Sequence, residues 1–97
     1  IAVIVNNGTY GTIRMHQERD YPGHVIATDI TNPDFVLFAQ SFGAYGERVE
    51  KTEEFGEAFE RAKASGRPAV IELMVDKEAI TPSATLTGIR EAAGSQT

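Results

Sequence analysis

Two apolar runs sit far apart in the chain: residues 1–5, Ile-Ala-Val-Ile-Val, and residues 69–75, Ala-Val-Ile-Glu-Leu-Met-Val. Neither shows the regular polar alternation of a strand with one wet face. Runs of this kind suit a parallel sheet covered on both sides. The second is expected at the centre of that sheet. Between them, Phe35, Phe38, Ala39 and Phe42 recur at i, i+3, i+4 and i+7, and so do Phe55, Ala58, Phe59 and Ala62. Each set makes one apolar helix face and is read as core. Residues 46–50, Gly-Glu-Arg-Val-Glu, are short and charged, as edge strands tend to be. Strands alternating with helices imply right-handed crossovers. The expected fold is therefore α/β, a partial three-layer α/β/α arrangement with a mainly parallel sheet of about three strands.

Boundary residues agree with this plan. Asn32 is expected to cap the first aromatic helix, with Pro33 at its first position and Asp34 complementing the dipole. Gly43 is placed to end it. Thr52 is expected to cap the second, with Glu53 and Glu54 in its first turn, and Gly66 and Pro68 stop it. The glutamates of that helix read as a solvated face. An earlier helix, residues 9–19, has a poor apolar stripe, with Tyr10 and Ile13 on one face and Met15 off it. Residues 25–30 read as an extended connector or short strand. After Lys77 the character changes: a turn at 81–83, one loose helix over 87–93, and fraying over 94–97. The expected division is residues 1–82 as a domain half and 83–97 as a tail.

The stretch with chemical content is Asn6-Asn7-Gly8-Thr9-Tyr10-Gly11. It lies where the first strand passes into the first helix, and open α/β sheets bind ligands outside the carboxyl ends of their strands. Its glycines let backbone approach a ligand closely. The following helix offers unpaired N–H groups and a positive dipole end, which suit a phosphate. Asn7 has a hard side-chain oxygen and Thr9 a backbone one, the donors that Mg2+ takes together with phosphate oxygens. Asn-Gly is equally an ordinary turn dipeptide.

These six residues after an apolar strand resemble the closing half of the thiamine-diphosphate motif, which opens with Gly-Asp-Gly and closes with Asn-Asn. The family is the one containing acetolactate synthase and benzoylformate decarboxylase. The resemblance continues through Asn32-Pro33-Asp34-Phe35, Phe42-Gly43-Ala44 and residues 68–76, and covers most of residues 1–82. No Gly-Asp-Gly occurs in these residues. The resemblance implies the C-terminal half of a thiamine-diphosphate-binding domain, with the last strand lying between residues 1–5 and 46–50. It implies thiamine diphosphate and Mg2+ as cofactors. Asn7 and Thr9 would hold the metal, Gly8, Thr9, Tyr10 and Gly11 the cofactor, with the Tyr10 and Gly11 amides facing the diphosphate. Thr12, Ile13 and His16 would line the substrate side. The implied chemistry is decarboxylation or ligation of 2-oxo acids, as in acetolactate synthase, and no residue here takes the part of the family's activating glutamate. A hydrophobic Ile13 resembles acetolactate synthase and benzoylformate decarboxylase rather than pyruvate decarboxylase. His16 reads either as a proton-transfer group or as a polar surface residue, and His24 as a loop residue.

Composition narrows the classes. A net charge of −5 over 97 residues argues against nucleic acid as a main partner. No run reaches membrane-span length, so a cytoplasmic setting is expected. The absence of cysteine excludes disulfides and thiolate metal sites. A start at Ile1, in mid-strand and without Met, reads as a piece whose partner is the rest of its own enzyme chain, in a homo-oligomer. Two other readings remain: a small phosphate-binding α/β module, and a structural or oligomerisation fragment.

Overall fold

The computed structural model describes residues 1–94. Along the chain run β1 (Ala2–Asn6), α1 (Gly11–Asp20), α2 (Phe35–Ser41), β2 (Tyr45–Val49), α3 (Phe55–Ala64), β3 (Ala69–Met74), β4 (Ala79–Thr81), β5 (Ala84–Thr85) and α4 (Leu86–Gly94). Beyond Gly94, the fraying expected of the terminus lies outside the described residues. The elements form two compact units, one of residues 1–6 and 32–75, the other of residues 7–31 and those from 76 onward. Among the described residues no helix is long and apolar enough to cross a membrane.

The first unit is a parallel sheet in the order β1-β3-β2, with the residue 69–75 run at its centre as expected. Register sets the faces, because side chains alternate along a strand. Val49, Ala69 and Ile71 are buried on one face with Ala58 and Ala62 of α3, and Tyr45, Leu73, Phe55 and Phe59 pack around them. The second apolar face read from the sequence is thus core. Glu47 belongs to this side and accepts from Arg61 Nε of α3 at 2.8 Å. On the opposite face, a Cβ at Gly46 would stand 2.9 Å from the Val36 carbonyl oxygen and 3.3 Å from Ala39 Cβ, so α2 lies directly on the strand. Within this unit, helices therefore cover both sides of the sheet.

The α2 side also holds a polar network. Glu72 of β3 is 1% exposed and accepts from Arg48 Nε and Asn6 Nδ2, each at 2.8 Å. Asn6 Oδ1 in turn accepts from Asn32 Nδ2 at 2.7 Å, and Arg48 Nη2 lies 3.0 Å from Asp34 Oδ1. A buried carboxylate is tolerable when its lone pairs are filled in this way.

Several local expectations are corrected here. The α2 cap is Asp34, not Asn32: its carboxylate accepts from the Val36 and Leu37 amides, while Asn32 is spent on Asn6. The Leu37 amide, first among its partners, holds the Asp34 carboxyl below its usual pKa. Thr52 opens a short 3-10 turn, Thr52–Glu54, without a side-chain cap. Phe38 and Phe42 are not core. They are 54% and 76% exposed and stack edge-to-face 5.2 Å apart, because α2 meets the sheet through Val36 and Ala39. Nor is β1 covered on both faces: Val3 and Val5 remain exposed, as α3 packs on β2 and β3.

The second unit contains α1, the loop through residues 21–31, the β4–β5 hairpin and α4. The turn read at 81–83 closes that hairpin, and its two short strands carry no apolar alternation that would announce them. Thr85 Oγ1 accepts from the Gly88 amide at 3.0 Å and starts α4 where a loose helix was expected. The weak stripe of α1 has a plain cause: its buried residue is Glu18, at 1% exposure. That carboxylate lies 3.4 Å from Arg14 Nε and 3.7 Å from Arg90 Nε of α4, so a buried ion pair spans the two helices.

Candidate functional site

After Asn6 the chain turns sharply. Gly8 takes φ +69, the left-handed region in which glycine avoids the usual side-chain penalty. The turn lets the Thr9 amide donate back to Asn7 Oδ1 at 3.2 Å, an Asx turn. Thr9 then pairs with Asp29 in a single antiparallel bridge. The bridge bonds run from the Tyr10 amide to the Thr28 carbonyl (2.8 Å) and from the Ile30 amide to the Gly8 carbonyl (3.0 Å). Thr9 is therefore the non-hydrogen-bonded member of its pair, and its own N–H and C=O point to the opposite edge. Asn7 Oδ1 lies on that edge, because it accepts the Thr9 amide. A carboxamide oxygen has two lone pairs, so one remains. Two hard oxygens, Asn7 Oδ1 and the Thr9 carbonyl, thus share one side of the turn. The residues present fit a hard cation. Among the described residues, no group of three His, Cys, Asp or Glu side chains could hold one instead.

The phosphate expectation is corrected in one respect. The Tyr10 amide does not face a ligand, because the Thr28 carbonyl takes it. The Gly11 amide stands in the first turn of α1, where it has no acceptor within the helix. Tyr10 supplies the N-cap position without a capping side chain, which leaves that end of the helix open. Gly11 is also tightly placed: a Cβ there would come within 2.9 Å of Ile80 Cδ1 and 3.1 Å of Asn7 Nδ2.

A family model described as thiamine pyrophosphate enzyme, C-terminal TPP binding domain, matches residues 1–73. The chain belongs to this family. Among its relatives, a protein named as thiamine pyrophosphate-containing, YdaP of Bacillus subtilis, is 37% identical over 81 residues, covering 82% of this chain and 14% of that protein. The acetolactate synthase large subunit of Corynebacterium glutamicum is 34% identical over 82 residues, 78% of this chain and 13% of the relative. The mitochondrial acetolactate synthase catalytic subunit of Saccharomyces cerevisiae is 32% identical over 76 residues, 78% and 11%. The TPP-binding domain segment thus spans about one seventh of the length of such relatives. The matched residues include the whole turn, β1, β2 and all of β3 except Met74.

In the TPP-binding domain, Thr12, Ile13 and His16 are exposed on α1, Ile13 at 54%. Arg19 Nη2 lies 2.6 Å from His16 Nδ1. A recess of about 320 Å3 opens at the carboxyl ends of β2 and β3, lined by Val49, Lys51, Phe55, Leu73 and Met74 among others. None of the residues read as site residues lines it, and its chemistry is mostly apolar. Sequence patterns missed the support of the turn: the Thr28 carbonyl, which accepts from Thr9 Oγ1, and Gln17, which accepts from the Thr28 hydroxyl. No spacing in the sequence announces Thr28. The Arg14–Glu18 pair was visible as an i, i+4 combination of opposite charges.

Proposed function

We propose that this domain segment belongs to a thiamine-diphosphate- and Mg2+-dependent enzyme that decarboxylates or ligates 2-oxo acids, in the manner of acetolactate synthase. Its part is the second half of the metal–diphosphate motif. What supports the reading is the shared edge of Asn7 Oδ1 and the Thr9 carbonyl at the N-terminus of α1. These two oxygens would hold Mg2+, which favours carboxamide and backbone oxygens beside phosphate. Gly8 and Gly11 keep the backbone close to the diphosphate, and the Gly11 amide donates to it. Thiamine diphosphate, when bound, supplies the carbanion chemistry. Thr12, Ile13 and His16 face the 2-oxo acid from α1. The same reading makes the protein a cytoplasmic homo-oligomer.

Calorimetric titration of the intact enzyme with thiamine diphosphate, at stepped Mg2+, tests this. Asn7→Ala is expected to raise the half-saturating Mg2+ sharply, with only a modest drop in the unfolding midpoint of the apo-protein from the lost Thr9 amide bond. Unchanged Mg2+ dependence in that variant overturns the metal assignment. Cofactor binding that needs no divalent ion in the parent protein favours a plain phosphate-binding module instead.

A further inference from the structure

The Thr9 hydroxyl is not available to any ligand. Thr9 is 5% exposed, and its Oγ1 donates to the Thr28 carbonyl at 2.7 Å. The same carbonyl accepts the Tyr10 amide at 2.8 Å, so one oxygen receives two donors from consecutive residues of the turn. Thr28 itself is 2% exposed. Its hydroxyl donates to Gln17 Oε1 at 3.0 Å, and Gln17 Nε2 donates to the Ile26 carbonyl at 2.9 Å. Arg14 Nη1 reaches Asp29 Oδ1 at 3.2 Å. The loop of residues 26–30 is therefore bonded to the turn on one side and to α1 on the other. Ala27 holds φ +60 within it, a conformation that costs an alanine free energy and persists where the surroundings impose it.

We propose that the Thr9 hydroxyl is a positioning group for the divalent ion, acting through the Thr28 carbonyl to fix the direction of the Thr9 backbone oxygen. This rests on the reading of Asn7 and Thr9 as metal-facing. The physical need is specific. The metal-facing oxygens sit on a turn with glycine at Gly8 and Gly11, whose backbone is intrinsically loose. Mg2+ demands near-octahedral oxygens at one short distance, whereas Ca2+ accepts a wider and more irregular shell. A loose backbone oxygen therefore harms Mg2+ binding more than Ca2+ binding. The tether supplies the missing restraint from a side chain that never touches the ion.

The test uses the intact enzyme, titrated with thiamine diphosphate at stepped Mg2+ and, separately, stepped Ca2+. Thr9→Val keeps the shape and the backbone oxygen but removes the donor. It is expected to raise the half-saturating Mg2+ by about tenfold, the loss of one buried hydrogen bond, and the half-saturating Ca2+ by less. Thr9→Ser, which keeps the hydroxyl, is expected to restore both. Equal rises for the two ions, or none, overturn the proposal, since a role in stability alone has no reason to distinguish them. Should Thr9→Val fail to fold, Gln17→Leu loosens the same loop without touching the turn, and the same skew towards Ca2+ is expected. Asn7→Ala run in parallel separates the two ideas. If it raises the half-saturating Mg2+ and Thr9→Val leaves the Mg2+ to Ca2+ ratio unchanged, only the tether falls; if Asn7→Ala has no effect, the metal reading falls first.

Discussion

The Asn6 carboxamide donates to the buried Glu72 carboxylate across 2.8 Å, while its oxygen accepts from Asn32. Both ends of one small side chain are thus committed, and the direction of each bond is set by its partner. Glu72→Gln turns an amide donor towards Asn6 Nδ2, or denies Arg48 its acceptor. Asn6→Asp sets two carboxylates against each other. Each single change is expected to cost about 1–3 kcal/mol, the range for a buried group left unpaired. The double variant reverses one bond of this network and keeps its partners: residue 72 donates, residue 6 accepts from residues 72 and 32, and Arg48 retains its acceptor. Urea unfolding of the four proteins measures the coupling. A double variant no more stable than the summed losses would remove this account of the network.

Ionisation gives a second test in the sheet unit. Arg61, ahead of the Tyr45 hydroxyl, holds the Glu47 carboxyl down at about 2 from an ordinary 4.5, although burial pushes the other way. A carboxylate depressed on folding stabilises the fold fully above its unfolded pKa. That contribution is lost as pH falls from about 4.5 through about 2. Glu47→Gln is expected to flatten the unfolding midpoint across this window and to lower it above. Identical pH slopes in the two proteins would show that the ion pair adds nothing to stability.

Gly11 offers a steric probe of the turn. An added methyl meets Ile80 Cδ1 at 2.9 Å, a tip that can swing away, and Asn7 Nδ2 at 3.1 Å, which cannot move without turning its carboxamide. Gly11→Ala is therefore expected to weaken Mg2+-dependent cofactor binding in the intact enzyme with a modest change in unfolding midpoint. Gly8→Ala meets open space but must adopt φ +69, so about 1–2 kcal/mol of stability is expected to go. Calorimetry beside denaturant unfolding separates the two effects. Normal metal dependence in Gly11→Ala would exclude Asn7 from the ion's shell.

Ile13 tests the substrate side. Its side chain is 54% exposed, so truncating it removes little from this unit's packing. Ile13→Ala in the intact enzyme is expected to shift the preference between pyruvate and an aromatic 2-oxo acid by about 1–3 kcal/mol, the usual worth of a small change in an apolar pocket. Cofactor affinity is expected to stay. The check is kcat/KM for both substrates, and equal changes for the two would take Ile13 out of the pocket.

What could be read from the sequence was whatever repeats. The Phe55, Ala58, Phe59, Ala62 face became core because three of its neighbours on β2 and β3 are also apolar and in register. The same spacing misled at Phe38 and Phe42, because α2 sits over glycine at Gly46 and touches the sheet through Val36 and Ala39. Periodicity states that a face exists, not how far it extends over its neighbour. The turn was legible through Asn-Gly chemistry and through resemblance. Its support was not: Thr28 serves through a backbone carbonyl that any residue possesses, and Gln17 and Glu18 are polar residues whose burial leaves no mark in composition. The Asp34 cap was hidden by an equally good candidate two residues earlier.

The parallel register joins Ala2 to Val70 and Asn6 to Met74. A ribosome adds roughly 5–20 residues per second, so β1 waits on the order of several seconds before β3 exists to receive it. During that interval Val3, Ile4 and Val5 lack the β3 residues they pair with. The β4–β5 hairpin, whose strands are close in sequence, faces no comparable delay. Synthesis of this segment therefore passes through a stage in which β1 exists without its β3 partner, and slowing translation between the codons for α2 and β3 lengthens it.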